Sequence, residues 1–241
     1  MSANTARTYN DIYAATGKDY RAESDIVHAF IQQYKKSQGN KLLDVGCGTG
    51  IHANLLSEYY QVEGLDIDKN MLSVARGNYP RIHFQQGDMV DFKLNRKFDI
   101  IVCLFSAIGY VKTKSRLQKT IKTMSQHLLP GGVLLVEPWF APDQWHPGRV
   151  GTVQVNVNKD DSEIVRMSLS LQRGKISIIE FQYLIGTPKG IVHDGEILQL
   201  GLFNGKDYLG AFPNAGLKVI HDPKGLDGRG LYIGLKPLDI K

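Results

Sequence analysis

Cysteine is scarce: two residues, Cys47 and Cys103, in a chain of 241. That excludes a disulfide framework and a four-cysteine zinc site. Long apolar runs are also missing. The longest, Ile100–Phe105, falls far short of the roughly 18 residues a membrane helix needs. The first twenty positions are polar and lack the apolar core of a signal segment. The expectation is a cytoplasmic protein in a reducing compartment, with no membrane partner. Neither charge sign dominates, since 29 Lys and Arg stand against 24 Asp and Glu. The net +5 is only a weak pointer to an anionic ligand. The densest basic stretch holds Lys112, Lys114, Arg116, Lys119 and Lys122. Leu117, Ile121, Met124 and Leu128 recur through it at helical spacing, so the lysines read as the wet face of an amphipathic helix. The seven histidines lack paired metal spacing, so no metal is expected. No ladder of aromatics among basic residues suggests nucleic acid. Repeats and low-complexity linkers are absent.

What is present is α/β patterning. Ser24–Tyr34 keeps a helical period. Lys41–Val45 is a short buried strand, Ile51–Tyr59 a helix, Val62–Asp66 a strand and Lys69–Arg76 a helix. Ile82–Phe84, Phe98–Phe105 and Gly132–Glu137 supply three more strands. This alternation predicts a parallel sheet with helices on both faces. After Pro138 the period switches to two. Val153–Val157, Val165–Leu171 and Ile179–Ile185 alternate apolar and polar residues, with breaks at Asn158–Asp161 and Arg173–Lys175, and Ile197–Phe203 follows. The pattern then returns to a helix, Lys206–Phe212, and strands at Leu217–Ile220 and Leu231–Leu235. The expected organisation is an α/β core over 1–149 with an N-terminal helical segment. An antiparallel β lobe over 150–203 is inserted late in the sheet, and 204–241 returns to the core sheet.

Asp44-Val-Gly-Cys-Gly-Thr-Gly50 joins the first strand to a helix. Glycines there allow a sharp turn and close approach of a ligand to the backbone. Asp66 ends the second strand, where an acid can bond a ribose diol, and Gly87-Asp88 follows the third. All three lie at carboxyl ends of strands, where open α/β sheets bind ligands. A dinucleotide fingerprint would need Gly where Ile51 stands, and the Gly-Lys-Ser/Thr of a P-loop is absent. The loop therefore suits a ligand without phosphate.

These three motifs resemble those of class I S-adenosylmethionine (SAM)-dependent methyltransferases. The resemblance implies a Rossmann-like seven-stranded sheet and SAM as cofactor. Asp44, Gly46 and Gly48 would take the methionine tail, Asp66 the ribose hydroxyls, and Asp88 with Met89 the adenine. Tyr13, Tyr20, Ile67 and Leu104 complete the expected cofactor contacts. Subclasses acting on DNA bases are disfavoured. The position of an Asn-Pro-Pro-Tyr motif reads Phe105-Ser-Ala-Ile-Gly-Tyr110, and no Pro-Cys nucleophile occurs.

Further segments resemble the N,N-dimethyltransferases of TDP-linked amino sugars in antibiotic biosynthesis. They are Gly17–Tyr20, Gly87–Phe92, Ser106–Tyr110, Val136–Trp139, Gly190–His193 and Gly228–Leu231. The resemblance implies a small-molecule acceptor, a nucleotide-linked amino sugar. A different small acceptor such as a heterocycle, or a non-catalytic SAM-binding subunit, stay open, as does a homodimer. Methyl transfer from a sulfonium needs a neutral, close and aligned acceptor rather than a strong base, and positioning supplies about 7–11 kcal/mol of the barrier. Tyr110 is expected to orient the amine or relay its proton, or else to cover the cofactor. Glu137, at a strand end, is expected to hold a sugar hydroxyl or an ammonium. Trp139 is expected to pack on the substrate, with a core role as the alternative. Arg229, in a glycine-rich loop, has the guanidinium geometry for a pyrophosphate. Tyr9, Tyr183 and His193 complete the expected substrate set.

Overall fold

A computed structural model describes residues 2–157 and 161–238. Seven strands form one sheet in the order β10-β11-β5-β4-β1-β2-β3. They are β1 (Lys41–Val45), β2 (Gln61–Asp66), β3 (His83–Gln86), β4 (Phe98–Cys103), β5 (Leu128–Val136), β10 (Lys218–Asp222) and β11 (Leu231–Leu235). The pairings from β3 through β5 are parallel, whereas β11 runs antiparallel to both β5 and β10. Both faces are covered, as parallel sheets require. On one face Leu43, Ile101, Leu134 and Phe212 join helices α5 (Lys114–Gln126) and α6 (Gly205–Asn214). On the other, Leu42, Ile100 and Val133 meet Val27 and Ile31 of α2 (Tyr20–Tyr34).

Element boundaries move for local reasons. The second helix begins at Tyr20 rather than Ser24, because the Asp19 side chain accepts the Ala22 amide at 2.9 Å. Helix α3 (Ile51–Leu56) stops short of Tyr59, its last turn tightened by an i→i+3 bond from Ser57 N to Asn54 O at 3.1 Å. Strand β4 ends at Cys103, since Phe105 and Ser106 both turn to positive φ. Strand β5 starts four residues earlier than its pattern indicates, through an irregular pairing with β4 between Phe98 and Ile100. Helix α4 (Lys69–Asn78) is capped by Asp68, which accepts the Asn70 and Met71 amides.

Between β5 and α6 lies a four-stranded antiparallel sheet, β6 (Val150–Val157), β7 (Ser162–Arg173), β8 (Ile176–Thr187) and β9 (Gly190–Gly201), in that order. Gly174, at φ 58°, makes the two-residue turn between β7 and β8. The break expected at 158–161 lies partly outside the described residues. The inner face of this sheet packs Val155, Ile164, Phe181, Tyr183 and Ile185 against Ile12 of α1 (Ala3–Ala15). That first helix thus docks on the second sheet. Asn10 accepts the Thr49 hydroxyl at 2.6 Å, which ties the same helix to the glycine loop.

Candidate active site

A cleft of about 1370 Å³ opens at the carboxyl ends of β1, β2 and β4, beneath the second sheet. Its floor is the glycine loop. Gly46 sits at φ 76°, and a Cβ there would stand 2.7 Å from the Ala107 Cβ, so only glycine fits. Gly48, at φ 54°, faces open space, a cradle that any side chain would fill. Its amide donates to Asp66 Oδ2 at 2.8 Å, and the Asp68 amide donates to Asp66 Oδ1 at 2.8 Å. These bonds aim the carboxylate. Burial raises the Asp66 carboxyl, while the Asp68 and Gly48 amides act against the rise. Asp44 is 2 % exposed, and burial together with the nearby Asp66 charge pushes its carboxyl up to about 7. Asp88 accepts the Val90 amide at 2.9 Å and pairs with Arg116 at 3.2 Å. Ile67 is 63 % exposed on the cleft wall, a flat apolar contact for a base.

Every residue expected to touch the cofactor lines this cleft: Tyr13, Tyr20, Asp44, Gly46, Gly48, Asp66, Ile67, Asp88, Met89 and Leu104. The Tyr20 hydroxyl is buried without a hydrogen-bond partner among the described residues. An orphaned donor in a cleft wall fits a polar ligand group, such as the amino-acid tail of SAM. With the Gly48 cradle and the aimed Asp66, the residues present fit SAM.

The other half of the cleft is aromatic. Phe105 lies 4.9 Å from Tyr13 and 6.4 Å from both Tyr9 and Tyr20, edge to face in each case. Lys18 Nζ sits 3.7 Å from the centre of the Phe105 ring. The lysine also pairs with Glu23 at 2.5 Å, and His52 Nε2 meets the same carboxylate at 3.0 Å. Burial lowers the His52 pKa against the pull of Glu23. Tyr110 lines the cleft and is 45 % exposed. Desolvation within the cleft, with added pressure from Tyr13 and Glu196, raises its phenol; the exposure tempers this without reversing it. The hydroxyl therefore stays protonated at neutral pH.

Glu137 departs from expectation. It is fully buried and does not line the cleft. One oxygen accepts the Phe105 amide at 2.6 Å and the other accepts Arg229 Nη2 at 2.7 Å. Both oxygens serve the protein, so Glu137 shapes the site from behind instead of meeting a substrate. Arg229 lines the cleft, but Asp227 takes its Nε at 3.0 Å and also bonds Nη2. Nη1 carries no such bond among the described residues. The guanidinium lies 5.7 Å from the Trp139 ring, whose Nε1 donates to Ser177 at 2.8 Å. Tyr9 and Trp139 line the cleft, whereas Tyr183 and His193 do not. Tyr183 is buried behind Arg166 and Glu196, with both of which it is in polar contact. His193 is exposed and bonds Gln182 at 2.7 Å, because its strand position points it away from the cleft.

Phe105, Lys18, Glu23, His52, Arg166 and Glu196 are cleft residues that the sequence reading did not assign to the site. For Lys18 the Gly17–Tyr20 segment was a signal. For Arg166 and Glu196 the signal was charge on a strand of otherwise alternating apolar residues.

A methyltransferase-domain family profile matches residues 42–132, the part holding the glycine loop, Asp66 and Asp88. The dTDP-3-amino-3,6-dideoxy-alpha-D-glucopyranose N,N-dimethyltransferase of Streptomyces fradiae is 37% identical over 238 residues, covering 97% of this chain and 91% of that protein. The chain belongs to the SAM-dependent dTDP-amino-sugar N,N-dimethyltransferase family. The crystal structure of DesVI of Streptomyces venezuelae superimposes on this family member with a TM-score of 0.89 at 35% identity, covering 95% of this chain and 97% of that one. The SAM-bound amino pentose methyltransferase CalS10 of Micromonospora echinaspora gives 0.84 at 33% identity, covering 95% and 96%. In this methyltransferase the cofactor is SAM, and the fold is that of class I enzymes with a second, antiparallel sheet. No helix among the described residues is long and apolar enough to cross a membrane.

Proposed function

We propose that this methyltransferase moves methyl groups from SAM to the amino group of a dTDP-linked deoxyamino sugar, twice in succession. Similarity to sugar-nucleotide N,N-dimethyltransferases along nearly the whole of both chains carries the reading. The continuous cleft from glycine loop to antiparallel sheet supports it. When bound, SAM supplies an electrophilic methyl carbon on a positively charged sulfur.

The chain's own residues do the rest. Asp66 binds the ribose diol, Asp88 and Met89 border the adenine, and Tyr20 and the glycine loop hold the amino-acid tail. Tyr110 and Tyr9 orient the acceptor amine, and Trp139 flanks the sugar. Arg229, through its free Nη1, meets the diphosphate. On this reading 1–149 and 204–241 form the cofactor core, and 150–203 is an acceptor lobe over the cleft. The acceptor is a small molecule in the cytoplasm, not a nucleic acid.

Methylation of dTDP-amino sugars, followed by mass spectrometry for one and two added methyl groups, tests the activity. Arg229→Ala tests the acceptor class. It should raise KM for the nucleotide sugar about tenfold or more, the scale of a charged hydrogen bond. SAM affinity should hold, and lysine should rescue only in part. An unchanged KM would argue for an acceptor without phosphate, such as a heterocycle.

A further inference from the structure

Most carboxylates lining the cleft have partners. Glu23 is held by Lys18 and His52, Asp88 by Arg116, and Asp227 by Arg229. Asp66 is held by two backbone amides. Asp44 and Glu196 differ: neither is ion-paired or held by a backbone amide among the described residues, but Asp44 is 2 % exposed, whereas Glu196 lines the cleft from β9 and is half-buried. Its side-chain contact is with the Tyr183 hydroxyl, which is also in polar contact with Arg166. With no donor from the backbone and no ion pair among the described residues, the carboxylate keeps acceptor capacity open to the cleft. Across the cleft the charge of Glu196 reaches the hydroxyls of Tyr9, Tyr13 and Tyr110, where the acceptor amine is expected.

We infer that Glu196 receives the acceptor's amino group, holding its ammonium form on arrival and taking the proton that must leave nitrogen before methyl transfer. This rests on the amino-sugar reading above. An alkylamine in water is largely protonated at neutral pH and has no lone pair to attack with. The proton passes from nitrogen to the carboxylate. The freed lone pair then forms the C–N bond as the C–S bond breaks, and the sulfonium's positive charge ends on nitrogen as an N-methylammonium. Glu196 releases its proton to water through the open cleft and takes the next one, from the methylated nitrogen, before the second transfer. Partial burial raises the Glu196 carboxyl, which brings its basicity closer to the task.

The test compares a dTDP-amino sugar with dTDP-glucose, its hydroxyl counterpart, by calorimetry on enzyme saturated with S-adenosylhomocysteine. Wild type should prefer the amine about tenfold or more, the scale of a charge-assisted contact. In Glu196→Gln that preference should vanish, kcat should fall, and dTDP-glucose binding and S-adenosylhomocysteine affinity should stay as they were. Tyr183→Phe, which keeps the carboxylate, should lower kcat yet retain the preference; its loss there would count against Glu196 as the binding group. A Glu196→Gln enzyme that still prefers the amine and turns over at the wild-type rate overturns the inference. If neither nucleotide sugar binds wild type, the amino-sugar reading itself falls, and this inference falls with it.

Discussion

The carboxylate of Glu137 accepts the backbone amide of Phe105 at 2.6 Å, joining the end of β5 to the turn that follows β4. That turn is strained. Phe105 and Ser106 stand at φ 48° and 58°, a region most side chains avoid. Strain of this kind costs about 1–3 kcal/mol per residue and persists only where the surroundings hold it. Here Glu137 holds one residue, and the Ser106 hydroxyl, donating to Pro138 O at 2.7 Å, holds the next. The strained turn places the Phe105 ring among Tyr9, Tyr13 and Tyr20.

Glu137→Ala should leave a buried amide unpaired and Arg229 without one of its counter-charges. Thermal or denaturant unfolding should show a loss of about 3–5 kcal/mol, as for a broken buried pair. Glu137→Gln, which still accepts the amide, should lose less and keep part of its activity. Equal losses in the two variants would contradict the role given to the Phe105 bond.

Asp66→Ala should weaken SAM by about tenfold or more, since hydrogen bonds to a charged group are worth about 1.5–3 kcal/mol. Calorimetry reads the affinity, and circular dichroism should show the fold intact. Unchanged affinity would remove Asp66 from the cofactor site.

Asp44 carries a pH signature. Its folded carboxyl, pushed to about 7 by burial and by Asp66, keeps a proton that the unfolded chain gives up near pH 4. Its contribution to stability is therefore present below about pH 4 and is lost as pH rises towards 7. Asp44→Asn cannot lose a proton. Relative to wild type, its melting temperature without ligand should be higher at pH 8 than at pH 5. A constant difference between the two pH values would refute the shift.

Metal should not be required. Among the described residues no group of three His, Cys, Asp or Glu side chains is placed to hold an ion. Activity should survive exhaustive EDTA treatment; a loss that Mg²⁺ or Zn²⁺ restores would show the opposite.

The cofactor half was legible in the sequence because its chemistry is local. Gly46, Asp66 and Asp88 each sit at the end of a strand, so spacing along the chain fixes where they meet. The acceptor half is assembled from distant pieces. Whether Glu137 faces ligand or protein depends on Arg229, 92 residues further on, and on the backbone of Phe105. Strand alternation in β9 leaves the inward face undetermined, which is why His193 reads as a cleft residue; Tyr183 does face inward on β8, but it packs with Ile12 of α1 beyond the cleft. Helix α1 left little trace, because its apolar stripe is short. It is ordered by what it touches: Ile12 packs on the second sheet, while Ser2 and the Thr5 hydroxyl bond Asp194 of β9.

That helix reaches both halves of the cleft, through Asn10 to the glycine loop and through Asp194 to the antiparallel sheet. If cofactor and acceptor both favour the seated helix, each must bind more tightly in the presence of the other, and by the same factor. The spent cofactor and the product are then released under the same coupling, so their order of departure is set partly by the seating of these thirteen residues, most of which lie outside the cleft.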